Sequence, residues 1–287
     1  VIIGYGQQKK ASVVGSITQA DAKVLSRTGG ISSLGEALTG NLPGVITMSS
    51  SGMPGDEDPK ILIRGVNTWN NSDPLVLVDG IERDLNNIDP AEIESFSVLK
   101  DASASAMYGV RGANGVIVIN TKRGKVGAPS VNLRVEHSIA EPTKLPDFIG
   151  AADHMTLINE ITENKSRLPF SQEQIDRTRY GYDRDLYPDV NWIDELYQDF
   201  TSNQRVNVNI SGGGSIAKYY IAGSIYNEGS IFKSDNSNDY NSSINYNKIN
   251  FRANLDLNLS KSTTLNLNLA NVYEKKNSPG AAIGDIW

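Results

Sequence analysis

The chain has 287 residues, a formal net charge of −6 and no cysteine. That length supplies ample apolar material for a core. The acidity speaks against a nucleic-acid partner, whose phosphates want a clustered basic surface, and the lack of cysteine removes disulfides, thiolate nucleophiles and cysteine-ligated metals.

The opening "VIIGYGQQKK" is β-branched, apolar and glycine-punctuated, then polar. It starts like a dinucleotide fingerprint but lacks the third glycine and a preceding strand, so that reading is discarded. In "SSLGEALTGNLPGV", Ser33 is an N-cap with Glu36 three residues on, Gly40 a stop and Pro43 beyond it, which predicts a short helix. The runs "VITM" at 45, "KILIRG" at 60 and "PLVLVDG" at 74 predict buried strands between glycine, proline and serine breaks. "DPAEIES" offers Asp89 as cap with Pro90 at the first helical position, and "DASASAMYG" repeats the design between Asp101 and Gly109. "SFSVL" between them and "GVIVINTKRG" after them are strands. Residues 1 to about 126 thus read as a small domain of short strands and short helices.

From about residue 128 the pattern changes to long alternating strands. "SVNLRVEHS" sets Val131, Leu133 and Val135 against Asn132, Arg134 and Glu136, and "RVNVNISG" sets Val206, Val208 and Ile210 against Asn207 and Asn209. "KYYIAGSIYNEG", "KINFRANLDLNLS" and "TLNLNLA" continue it, giving roughly five strands of the nine to eleven residues that a tilted membrane-crossing strand needs. No apolar run approaches the roughly 20 residues of a transmembrane helix and no signal-peptide core opens the chain, but barrel strands escape such tests because they alternate. Connections alternate too: "GGGSIA" and "SKST" are tight, whereas 138–204 and about 229–247 are long, as in an outer-membrane barrel with periplasmic turns and extracellular loops. In "LDLNLSKSTTLNLNLA", a turn at Lys261, Ser262 and Thr263 puts Leu259 opposite Leu265 and Leu257 opposite Leu267, so that both strands show leucine on one side. A half-buried hairpin of a soluble sandwich is the competing reading of that segment alone. The asparagine-rich opposite face, with Asn254, Asp256, Asn258, Asn266 and Asn268, suits a lumen filled by another polar surface better than open water. The alternation falters at Asn271 and Val272, as a bulge or the end of the membrane band would make it do. Five strands do not close a barrel, since bacterial barrels run from eight upward, so the chain is expected to be the N-terminal part of a longer one.

Catalytic signals are sparse. His137 and His154 share no motif, and there is no HExxH, nucleophile elbow or P-loop, so no enzyme is expected. In "RYGYDRDLYPDVNWIDELY", Asp183, Asp185 and Asp189 could offer oxygens to a structural calcium, but EF-hand spacing is missing and a solvated acidic loop fits better. Tyr180, Tyr182, Tyr187 and Trp192 of the same stretch could stack on sugar rings, or form a small core of the loop.

The succession "IRGVNTWNNSDPLVLVDGIERDLNNIDPAEIESFSVLKDASASAMYGVRGANGVIVINTKRG", residues 63–124, resembles the plug of TonB-dependent outer-membrane receptors, and "PLVLVDG", "SVLKDASASAMYGVRGANGVI" and the opening "GYGQQKK" resemble the SusC/RagA branch of Bacteroidetes nutrient importers. The resemblance implies an α+β plug domain followed by the N-terminal strands of an antiparallel transmembrane β-barrel of 22 strands, incomplete here. It divides the chain into a TonB-box segment at 1–10, a plug at 11–126 and the start of the barrel at 127–287, with a long first extracellular loop at 138–204. It also implies import of oligosaccharides or peptides across the outer membrane, a SusD-like surface lipoprotein as lid, no cofactor, and energy from TonB gripping Val1, Ile2, Ile3, Gly4, Tyr5 and Gly6 by β-augmentation. Plug contacts to barrel glutamates in related receptors map to Arg64 and Lys100, with Arg111 as a nearby substitute, and lysine lacks the bidentate fork of arginine. A siderophore or cobalamin receptor is the alternative within the same membrane class, and a soluble α+β binding module the alternative outside it.

Overall fold

A computed structural model describes residues 2–3, 6–7, 17–21, 33–38, 40, 42–48, 52–56, 59–65, 72–100, 106–162, 169–234 and 242–278. The first of two units contains the plug and most of the long strands, as residues 1–139, 202–230 and 244–287. In chain order its short elements are β1 (Ile2–Ile3), β2 (Gly6–Gln7), β3 (Ile17–Asp21), α1 (Leu34–Leu38), β4 (Val45–Met48), β5 (Lys60–Ile63), β6 (Leu75–Val78), β7 (Ile81–Glu82), β8 (Ile93–Leu99) and β9 (Val116–Thr121). The main plug sheet has the order β3-β8-β9-β6-β7, with β6 and β9 parallel and the other neighbours antiparallel; β4 pairs with β5, and β1 with β2.

The centre of this sheet is apolar on both faces, which is why "GVIVIN" shows no alternation. Ile117 and Ile119 point into a core with Leu34, Leu38, Ile63, Val78, Ile93 and Phe96, while Val116 and Val118 point to the opposite side with Leu75, Leu77 and Leu99, where Tyr108 packs. The "VDG" tripeptide turns β6 into β7: Asp79 and Gly80 both take positive φ (50° and 84°) between the facing pair Val78 and Ile81, the backbone of a type I′ hairpin. Asp89 caps as expected, its carboxylate accepting from the amide of Ala91 at 2.8 Å, but Pro90–Glu92 makes a single 3₁₀ turn rather than a helix. Ala106–Gly112 likewise forms 3₁₀ turns that kink at Gly109, and Asp101, the cap expected there, lies outside the described residues.

The long strands are β10 (Gly127–Ala140), β11 (Thr201–Gly213), β12 (Ala217–Gly229), β13 (Asn245–Asn258) and β14 (Thr264–Asn277), hydrogen-bonded in that consecutive order. They run 13 or 14 residues each, longer than the alternation alone predicts, because ladder pairing continues past the apolar stretch at both ends. The β13–β14 register corrects one expectation. Leu257 faces Leu265 and Leu255 faces Leu267, because the backbone groups of Leu259, Ser260 and Thr263 bond among themselves and close a five-residue loop at 259–263. An odd loop still leaves leucine opposite leucine. No bulge occurs at Asn271 and Val272: β14 continues in unbroken register to Asn277, with Asn271 facing Phe251 and Val272 facing Asn250.

The second unit, residues 140–201 and 231–243, carries α2 (Ala151–Ile161), α3 (Gln172–Tyr180) and α4 (Trp192–Leu196). Asn159 ties α2 to the chain before α3, donating to the carbonyl of Phe170 at 2.8 Å and accepting from its amide at 3.1 Å. A capping box of Ser171 and Gln174 opens α3 and a left-handed Gly181 ends it. The long connection expected at 138–204 therefore carries three helices among its described residues.

Candidate functional site

The long-stranded sheet is inside-out by the standard of a soluble protein. On one face Val206, Val208, Ile221, Ile225, Ile249, Phe251, Leu265, Leu267 and Leu269 are exposed. On the other, Asn207, Ser224, Lys248, Asn250, Arg252 and Asn254 are buried. The buried polar face meets the plug, and that interface is the candidate site.

Two plug acids meet two wall arginines there. Glu92, which closes the 3₁₀ turn before β8, takes Nε of Arg252 on β13 at 2.6 Å, with 3% and 4% of the side chains exposed. Asp89 receives Nη1 of Arg205 on β11 at 3.2 Å and the hydroxyl of Ser224 on β12. The Arg205 guanidinium also stands 4.8 Å from the centre of the Tyr226 ring. On the plug side of the reverse polarity, Arg123 donates to Asp256 at 2.6 Å and to Asn268 at 3.1 Å. Asn254 donates at 2.8 Å to both the Thr121 hydroxyl and the Lys122 carbonyl, and that same hydroxyl donates to Asp79 at 2.6 Å, so the β6–β7 turn is linked to the wall through one threonine. Lys248 bonds the Asn86 carbonyl and lies 3.4 Å from Glu274, and Lys276 pairs with Asp56. Small residues make room: Arg252 sits in a row between Ala222 and Ala270. Gly124 is fixed by close approach, since a Cβ there would stand 2.3 Å from the Tyr219 amide nitrogen and 2.8 Å from the Gly212 carbonyl oxygen.

Burial pushes the Glu92 carboxyl above the usual carboxylate range, against the pull of Arg252. Burial also pushes the Lys122 ammonium below the usual lysine range, opposed by Glu94, Asp89 and Glu92. Such desolvation offsets much of the attraction within each pair, so the damage comes when one partner is removed and the other is left buried.

The residues nominated from sequence lie elsewhere. Ile2–Ile3 pairs with Gly6–Gln7 in β1 and β2, while Val1, Gly4 and Tyr5 lie outside the described residues. Lys100 bonds the Pro43 carbonyl and Arg111 pairs with Glu82, both contacts within the plug. Arg64 is exposed and holds φ at 60° after β5. In the second unit Tyr180 and Tyr182 are exposed with rings 6.3 Å apart edge to face, Trp192 is exposed, and Arg177 lies 5.6 Å over the Tyr187 ring. Asp183 accepts from the amides of Asp185 and Leu186, and Asp189 from that of Ala151. No group of three His, Asp or Glu side chains gathers among the described residues. The asparagine face does meet the plug through Asn254, Asp256 and Asn268, as the alternation implied. What the sequence reading missed is the Asp89–Arg205 and Glu92–Arg252 pairing. Its signal was present as an arginine among inward-facing asparagines in each strand.

Residues 9–116 match the TonB-dependent Receptor Plug Domain family. The TonB-dependent receptor SusC of Bacteroides thetaiotaomicron is 31% identical over 296 residues, covering 99% of this chain and 27% of SusC. TonB-dependent receptor P39 of Formosa agariphila is 31% identical over 284 residues, covering 96% of this chain and 25% of P39. Among solved structures, the RagAB peptide importer in its open-open state shares the fold with a TM-score of 0.76 at 21% identity, over 97% of this chain and 32% of that one. A mutant ferric enterobactin receptor of Pseudomonas aeruginosa gives 0.54 at 17% identity, over 91% and 33%. This chain spans about a quarter of the length of the curated relatives it matches, and these relatives are receptors, not enzymes. Residues 9–116 thus carry a TonB-dependent receptor plug, and nearly the whole chain is SusC-like, resembling the plug and first barrel strands of the SusC-type TonB-dependent receptors.

Proposed function

We propose that this chain is the plug and first wall segment of an outer-membrane importer of nutrient oligosaccharides or peptides, driven by TonB and covered outside by a SusD-like lipoprotein. The observation that carries the reading is the inverted sheet, whose apolar face suits lipid hydrocarbon and whose polar face is occupied by the plug. From Leu265 to Tyr273 a tilted strand climbs about 20 Å, close to the apolar band of such barrels. In the cycle, substrate is captured from outside, where the second unit offers Tyr180, Tyr182, Tyr187 and Trp192 to sugar or lid. Val1 to Gly6 is released into the periplasm, and TonB pulls on it until the plug yields a path. The higher TM-score to the peptide importer than to the ferric enterobactin receptor favours an importer of the SusC/RagA kind over a siderophore receptor.

The decisive experiment deletes Val1 to Gly6 from the full-length receptor. Uptake should vanish while the barrel assembles normally; unchanged uptake removes the coupling role. Growth of a deletion strain on a panel of glycans and peptides then identifies the substrate, and copurification of a lipoprotein lid separates this reading from the siderophore one. A full-length protein that partitions into buffer rather than detergent-solubilised outer membrane would overturn the importer altogether.

A further inference from the structure

The plug does not fill the whole polar face. Beside the ion pairs lies an open cleft of about 910 Å³ between the plug and strands β10 to β12, a size within the range of small-molecule sites. Among the described residues its lining holds four cations, Lys122, Arg123, Lys125 and Arg134, against the single carboxylate of Glu94. Three of the four face acids: Arg123 pairs with Asp256, Lys125 with Glu94 and Arg134 with Glu136. The fourth, Lys122, gives a hydrogen bond at 2.7 Å to the neutral carbonyl of Ala91. Glu94, Asp89 and Glu92, which pull on it, are already paired to Lys125, Arg205 and Arg252.

Two further groups on the lining are buried with no hydrogen-bond partner among the described residues, Nδ2 of Asn207 and the hydroxyl of Tyr220. The Asn207 amide is oriented by Asn209, which donates to its oxygen at 3.3 Å and leaves the NH2 end without a partner. Buried donors of this kind want an acceptor. An ammonium on the plug side, and on the wall an amide NH2 and a phenol that the pairing of Tyr220 with Ser211 sets four residues further along, are successive donors for a carboxylate, which has two oxygens and no proton to give.

Building on the importer reading, we propose that this cleft is a way station for carboxylate-bearing substrates passing between plug and barrel wall, with Lys122, Asn207 and Tyr220 as donors that a carboxylate meets in turn along it. Neutral solutes would leave these donors unanswered and pass less readily. The inward row of β10, with Ser130 and Asn132 on the lining, forms one side of the station.

The test uses the full-length receptor with Ser130→Cys as its single cysteine, and compares two thiol reagents of similar size, anionic sulfonatoethyl and cationic trimethylammonioethyl methanethiosulfonate. With each rate taken relative to that reagent's rate with a small free thiol, the anionic reagent should react about tenfold faster, as one uncompensated charge a few ångströms away in a water-filled cleft implies. Lys122→Gln, which keeps a donor for the Ala91 carbonyl, should erase most of that preference. Equal rates, or a faster cationic reagent, overturn the proposal. If Ser130→Cys does not assemble, Asn132→Cys on the same row replaces it. A second arm measures uptake after modification, using a glutamate-rich tripeptide and a galacturonate trisaccharide beside their neutral counterparts. Selective slowing of either acidic solute supports the station and identifies its source as peptide or glycan; slowing of neither overturns it. The reactivity ratio needs no transport, so it stands or falls independently of the importer reading, which the deletion of Val1 to Gly6 tests.

Discussion

Arg252 and Glu92 are 160 residues apart in the chain and 2.6 Å apart in the fold, and neither environment is legible from its own neighbours. The sequence shows Arg252 only as an odd member of an asparagine row and Glu92 only as the acidic residue behind the Asp89 cap. Their pairing exists because the β13 register turns that row toward the plug, which one-dimensional periodicity cannot reveal. Removing one partner should do more harm than removing both: Arg252→Ala strands a buried carboxylate at a cost of about 3–5 kcal/mol, whereas Glu92→Leu with Arg252→Met should recover most of it. Urea midpoints of plug protection from protease in the full-length receptor measure the difference. The raised Glu92 carboxyl gives a pH dependence of defined sign. A group whose folded pKa exceeds its unfolded value contributes stability that is complete below the unfolded value and lost as pH rises through the folded one. The stability of the wild type relative to Glu92→Gln should therefore improve as pH falls from neutral toward 4.5, the ordinary value for glutamate. Gly124 makes a third residue-scale test. Gly124→Ala would press a methyl group against backbone atoms of Tyr219 and Gly212, which cannot swing aside, and should loosen the plug in the same protease assay.

Among the elements, the long strands were legible because alternation is a local property, and all five appear where the pattern places them. The β13–β14 register was off by one facing pair because turn length depends on which backbone groups bond inside the loop. Parity survived the error, so the faces were right. Leu269 lies on the apolar face near the middle of the band, and Leu269→Arg should cost roughly 2–4 kcal/mol of folding into lipid vesicles, falling off for positions nearer the ends. The same substitution in a soluble sandwich would be close to neutral, since Leu269 is 63% exposed. Helix α3 was missed although Ser171, Gln174 and Gly181 carry start and stop signals. With only Ile175 and Thr178 buried on α3, the apolar stripe that usually announces a helix is too thin to read.

At the scale of the whole molecule, the two sheets differ in how far along the chain their partners lie. Every strand from β11 to β14 pairs with its predecessor, so that sheet can grow as each strand becomes available. The plug sheet cannot, because β9 is its central member and joins β8 to β6. A chain ended at residue 112 should accordingly remain sensitive to protease throughout the plug, whereas one ended at 126 should gain protection over residues 75–121; equal sensitivity would show that the wall is needed as a template. The plug order thus has a kinetic consequence. Its core cannot close until residue 121 has been made, and β10 begins at Gly127. In a chain that emerges from its N-terminus, the apolar residues of β6 and β8 wait exposed for the last plug strand, and that strand reaches them only a few residues ahead of the first strand of the wall.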